Sequence, residues 1–209
     1  MDRMHAKKKI SDEHILAARL TAQNSRGQGK FDAVFIGGST YEFEEREISF
    51  ESSPSHSFLM VLPKNIRQLK QEYLKIKFPS GHRPEAVLTD DSGTLNFTFQ
   101  PISDSAGDLT TRLSGYQTVI KRSNPDFSFF SQEILFMKNG LKAAYLDLCG
   151  RAVDGDVYYF YFFVDLTEPP RAEMLAMFSC PFGSRKEWKP LFKQMAVSLK
   201  PSSTKSSVS

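Results

Sequence analysis

The chain has 209 residues, of which 40% are apolar, 24% charged and 12% aromatic, enough for one soluble domain with free ends at the usual size of about 100–200 residues. Its formal charge of +3 sits in the termini, because residues 1–10 carry +3 and residues 200–209 carry +2, leaving −2 on residues 11–199, which argues against the basic face of a nucleic-acid-binding fold. No apolar stretch is long enough to span a membrane, and Ile10 to Leu20 is too broken by Asp12, Glu13, His14 and Arg19 for a signal peptide, so a cytoplasmic location is the default expectation.

Ser11 to about Ser25 is expected to form a short helix or an arm, with Ser11 or Asp12 as cap and a thin apolar face of Ile15, Leu16 and Leu20. Gly27, Gly29, Gly37 and Gly38 punctuate a strand from Phe31 to Ile36, and Tyr41 to Glu51 follows as a polar, alternating strand. Residues 52–57 turn the chain into a strand from Phe58 to Leu62, which Pro63 stops. Asn65 to Lys77 is predicted as a helix, with Ile66, Leu69, Tyr73 and Ile76 on a face that packs on the sheet. Lys64, Arg67, Lys70, Lys75 and Lys77 line the rest of it. They read as a solvated outer face, or as a docking surface for an acidic partner with Arg67 and Lys70 as contacts.

Phe78-Pro79-Ser80-Gly81-His82-Arg83-Pro84 is a rigid connection, since each proline disfavours helix at the residue before it. Glu85 to Thr89 and Thr94 to Pro101 flank a hairpin turn at Asp90-Asp91-Ser92-Gly93. A second helix runs from about Gly107 to Arg122, striped by Leu109, Leu113, Tyr116 and Ile120 and capped by Ser105 or Asp104. Three long strands follow, Phe129 to Lys138, Leu141 to Ala152 and Val157 to Leu166, joined by the hairpin signals Asn139-Gly140 and Asp154-Gly155. Ala172 to Cys180 reads as another strand, although Glu173 to Met177 are equally good helix formers. A closing helix starts near Ser184, where Ser184 and Glu187 have capping-box spacing, and buries Trp188, Leu191, Met195 and Leu199; Pro190 must distort its first turns. The serine-rich 201–209 reads as a disordered tail.

No residue pattern points to catalysis. His5, His14, His56 and His82 are scattered without ligand spacing, so no metal or other cofactor is expected. Ser114 falls inside a helix rather than in a nucleophile elbow, and Arg26-Gly27-Gln28-Gly29-Lys30 lacks phosphate-loop spacing. Cys149 and Cys180 read as buried free thiols, with a redox pair as the rarer reading. Strand alternation sends Tyr158, Phe160 and Phe162 to one face of the sheet and Tyr159, Tyr161 and Phe163 to the other. Either helices cover both faces, or Tyr159, Tyr161 and Phe163 floor an open face for a helix or peptide.

The order strand–strand–helix–strand–strand–helix–strands–helix over Glu47 to Lys200 resembles the Mog1/PsbP-like superfamily. The likeness is carried by the strand ending at Leu62-Pro63, the first helix running into Phe78-Pro79 and Arg83-Pro84, the long central helix, the Asn139-Gly140 and Asp154-Gly155 meander, and the closing helix with Trp188. It implies an α+β fold: an antiparallel sheet of about six or more strands with helices on both faces, an α/β/α sandwich spanning 47–200, preceded by an N-terminal arm over 1–46. It implies no catalytic residue. The expected function is therefore a non-enzymatic, protein-binding or chaperone-like adaptor, with Tyr159, Tyr161, Phe163, Arg67 and Lys70 as partner contacts. The alternative is a small-molecule-binding protein or unrecognised enzyme with a pocket near His82, Arg83 and Tyr116. Another protein is the expected partner, with no nucleic acid and no membrane, and the chain is expected to be a monomer or, through edge strands, a homodimer.

Overall fold

The central strands form where alternation and turn signals are strongest. In the computed structural model, residues 31, 33–50, 57–78, 83–103, 108–137, 139–152, 155–166 and 172–202 are described. The chain divides into the units Met1–Asp32 and Ala33–Ser209, and the elements below belong to the second. They are β1 (Val34–Ile36), β2 (Ser39–Tyr41), β3 (Phe43–Ile48), β4 (Phe58–Pro63), β5 (Arg67–Gln68), α1 (Gln71–Lys77), β6 (Ala86–Thr89), β7 (Asn96–Ser103), α2 (Leu109–Ser123), β8 (Ser128–Phe136), β9 (Lys142–Ala152), β10 (Gly155–Leu166), β11 (Ala172–Pro181), α3 (Arg185–Ser198) and β12 (Lys200–Pro201). The predicted helix near Ser11, the caps Ser105 and Asp104, and His82 lie outside the described residues.

Seven strands make one antiparallel sheet in the order β5-β6-β7-β11-β10-β9-β8, and β12-β4-β3 make a second of three strands. Asn139-Gly140 closes the β8–β9 hairpin, with Gly140 at φ 82° donating to the Met137 carbonyl at 3.0 Å; positive φ costs glycine nothing. Ala172–Pro181 is a strand throughout. Its backbone fills the gap between β7 and β10, and that ladder decides the segment over its helix propensity.

The main sheet is covered on both faces. On one side Tyr158, Phe160, Phe162 and Val164 of β10 are buried with Phe97, Phe99 and Phe178 beneath Trp188, Leu191, Phe192 and Met195 of α3. On the other, α2 lays Leu109 and Leu113 over Ala144, Leu146, Leu148 and Phe163. Asp108 caps α2, its carboxylate accepting from the Thr111 amide at 2.8 Å. Ser184 precedes α3 without a side-chain capping bond, and Pro190 is accommodated inside that helix.

The start of the first helix differs from expectation. The helix expected from Asn65 begins only at Gln71. Arg67 and Gln68 instead pair with Thr89 and Leu88, and the Leu69 amide donates to the Val87 carbonyl at 2.8 Å. Ladder bonds to β6 satisfy these backbone groups, leaving two helical turns. At the front, β3 pairs with β4 from Phe43↔Pro63 to Ile48↔Phe58. At the back, Pro201 pairs with Phe58.

Gly150 of β9 lies against the Phe127 ring, where an added Cβ would come within 2.3 Å of it. Gly150→Ala is therefore expected to displace that ring and cost about 1–3 kcal/mol, the usual range for overpacking. Urea unfolding checks this: an unchanged midpoint would show that the ring swings away freely.

Candidate partner-binding surface

The alternation of β10 holds, but the face expected to be open is roofed by α2. Phe163 is 1% exposed and its ring centroid lies 4.4 Å from that of Tyr116. The expectation that Phe163 floors an open face is thus corrected: Leu109 and Leu113 occupy the space above it. Tyr159 and Tyr161 are half-buried, with Phe127 stacked on Tyr159 at 5.9 Å. Burial raises both phenols above their ordinary pKa, so they stay neutral.

Exposed apolar surface occurs instead on α1. Leu74 is the side chain this short helix buries, while Tyr73 and Ile76 are 54% and 78% exposed. Starting at Gln71 removes Ile66 and Leu69 from the helical stripe, and the remaining register turns Leu74 inward. The C-terminal turn is tied down by Lys77, whose Nζ donates to Asn96 Oδ1 at 2.6 Å and to the Gly93 carbonyl. Tyr73 and Ile76, three residues apart, are neighbours on the helix surface, and Lys70 stands at its N-cap. Lys70 and Lys75 are exposed and have no carboxylate at ion-pair distance among the described residues. Arg67, also exposed, pairs with Asp91.

A second polar constellation lies under α3. The Asp147 side chain is fully buried; its Oδ2 accepts from Tyr158 Oη and Lys189 Nζ, both at 2.8 Å, with Arg185 at 3.8 Å. Its Oδ1 accepts from the Ser131 amide at 2.8 Å and from the Ser131 hydroxyl. Burial pushes this carboxyl up, but the bonds from Lys189, Ser131 and Tyr158 and the lysine's charge outweigh it, and the pKa falls below the ordinary aspartate value. One turn further along α3, Lys193 Nζ and Tyr145 Oη each reach Glu133 at 2.8 Å. With its acceptor positions occupied, Asp147 works as a bracket joining α3 to β8, β9 and β10. The sequence reading missed it. Its signal was a lone aspartate between Leu146 and Leu148, together with cations at 185, 189 and 193 spaced four apart on one helix.

Among the described residues the remaining candidates are held by other partners. Cys149 and Cys180 are both free and each is paired with Tyr158 across the ladder. They therefore stand two strand spacings apart, about 9–10 Å, beyond disulfide reach. Burial raises both thiol pKa values. Arg83 donates from Nε to the Phe78 carbonyl at 2.7 Å, whereas Tyr116 packs on Phe163. Among the described residues no three His, Cys, Asp or Glu side chains gather as metal ligands, and no helix is long and apolar enough to cross a membrane.

No protein-family model matches the chain, and no curated protein sequence does either. Solved structures do match. Cyanobacterial PsbP from Synechocystis is 12% identical over 84% of this chain and 99% of its own, with a TM-score of 0.52. LpqN, involved in cell envelope biogenesis of Mycobacterium tuberculosis, is 10% identical over 76% of this chain and 91% of its own, with a TM-score of 0.53. The Ran-binding protein Mog1p of Saccharomyces cerevisiae is 9% identical over 76% and 96%, with a TM-score of 0.48. At these identities the likeness is one of fold: on the PsbP and LpqN matches, the domain has the Mog1/PsbP-like fold.

Proposed function

We propose that this chain is a non-enzymatic protein-binding module, an adaptor that engages an acidic segment of another protein through α1 and the adjoining β5. The observation that carries this reading is the pair of exposed apolar side chains, Tyr73 and Ile76, on a helix whose exposed Lys70 and Lys75 have no carboxylate at ion-pair distance among the described residues. Exposed aromatic and aliphatic side chains supply apolar contact area, and neighbouring lysines select an acidic partner and speed its approach. Arg67 extends the basic rim, since a partner carboxylate can compete with the exposed Asp91. The best-defined buried carboxylate, Asp147, supports the non-enzymatic half of the reading because its oxygens are engaged in holding α3.

The test is affinity capture with the full chain from its native lysate, identification of the bound protein, and titration of that protein against two variants. Lys70→Glu/Lys75→Glu is expected to weaken binding roughly tenfold at low salt and less at high salt, because each exposed ion pair contributes about 0.2–1 kcal/mol and reversal adds repulsion. Tyr73→Ala/Ile76→Ala is expected to weaken it at every salt concentration. Both variants should unfold at the wild-type midpoint. Undiminished binding by both folded variants would remove α1 as the surface.

A further inference from the structure

The edges of the two larger sheets are unequal. In the three-stranded sheet β3 carries Glu44, Glu45, Arg46 and Glu47, and β12 is two residues long. In the seven-stranded sheet β5 is also two residues long. The other edge, β8, has nine residues, Ser-Phe-Phe-Ser-Gln-Glu-Ile-Leu-Phe, and pairs only with β9 among the described residues. Charge, brevity and bulges are the usual protections of an edge against pairing. Of these β8 has one bulge, between Phe129 and Ser131, and one charge, Glu133, which Lys193 and Tyr145 already hold. Beyond the bulge, Ser131 to Phe136 is regular, and Phe136 is 78% exposed.

We propose that β8 pairs with β8 of a second copy of this chain, antiparallel, about a two-fold axis at Ile134. Three observations select that occupant and register. The register avoids like charges, because centring on Ile134 sets Glu133 opposite Leu135 of the second copy, whereas centring on Glu133 would oppose two carboxylates. This register keeps the pairing within residues 132–136, inside the regular segment and clear of the bulge between Phe129 and Ser131. The register also sets the exposed Phe136 opposite the exposed Gln132 of the second copy, covering the most accessible apolar side chain of the strand. The contact is isologous, so it closes at two chains and joins the two seven-stranded sheets into one. It is independent of the adaptor reading: β5, which leads into α1, is the opposite edge of the sheet. A dimer would therefore leave both α1 surfaces free and give them avidity for a repeated partner.

Sedimentation equilibrium of the full chain tests this, with two double variants at exposed positions and unfolding midpoints as the folding control. Wild type is expected to shift from one to two chain masses as concentration rises. Gln132→Lys/Phe136→Lys, which opposes like charges at both ends of the pairing, is expected to remain monomeric. Gln132→Lys/Phe136→Glu, which opposes unlike charges, is expected to recover the dimer. A wild-type chain that stays monomeric at every concentration overturns the proposal. So does a dimer that persists in the all-lysine variant, or equal behaviour of the two variants.

Discussion

Replacing Asp147 with alanine is expected to lower the folding stability of the domain by about 3–5 kcal/mol, the range for removing one partner of a buried ion pair. The loss comes from what stays behind. Without the carboxylate, the Lys189 ammonium, the Arg185 guanidinium, the Tyr158 hydroxyl and the Ser131 amide lose a shared acceptor, and each buried donor without a partner costs about 1–3 kcal/mol. Asp147→Asn separates geometry from charge: the amide oxygen can still accept from Ser131, but both cations lose their counter-charge, so an intermediate loss is expected. Denaturant unfolding of the three proteins measures this, and an Asp147→Ala protein within about 1 kcal/mol of wild type would show that Glu133 or water takes over the cations.

Acid should expose the same bracket. The Asp147 carboxyl has a folded-state pKa below its unfolded one, so its contribution is complete above the ordinary aspartate pKa of about 3.9 and disappears as pH falls through the folded value. Wild-type stability should therefore decline on acidification below about pH 4 more steeply than that of Asp147→Ala. The variant keeps some slope, because Glu133, held down by bonds from Lys193 and Tyr145, is depressed as well.

Local signals made the meander legible. Asn139-Gly140 sits at a tight hairpin because glycine takes the positive φ there, and the Tyr158-to-Val164 alternation lands as read because one face is wholly buried. The Leu109–Leu113–Tyr116–Ile120 stripe likewise became the face of α2. Long-range pairing was not legible. Arg67 and Gln68 carry a helical pattern, yet Thr89 and Leu88 claim their backbone, and that choice in turn exposes Tyr73 and Ile76. Asp147 was hidden for the same reason: its meaning depends on Ser131, Tyr158 and Lys189, which approach only once β8, β10 and α3 have packed. The open aromatic face was the costliest expectation. Sequence gives the same alternation whether a sheet face is roofed or bare, and here α2 roofs it.

Phe178→Ala is expected to cost about 3–5 kcal/mol, the range for truncating a buried phenylalanine, and to do so where no partner surface is touched. Phe178 is fully buried in β11, and its ring lies 4.9 Å from Phe97, 5.1 Å from Phe162 and 5.4 Å from Phe192, centroid to centroid, with Phe99 and Phe160 just beyond. These neighbours come from β7, β10 and α3, so the cavity opens where three elements meet. Rings fixed on separate strands cannot all collapse into it, and partial collapse is what makes such losses large. Tyr73→Ala/Ile76→Ala removes two large side chains from the surface instead, where substitutions usually stay within about 0.5 kcal/mol. Urea midpoints of the two proteins should therefore separate the α3 side of the sheet, where Phe178 is buried, from α1, where Tyr73 and Ile76 are exposed. Comparable losses in both would mean that α1 contributes to the core, and the partner surface would have to be sought elsewhere.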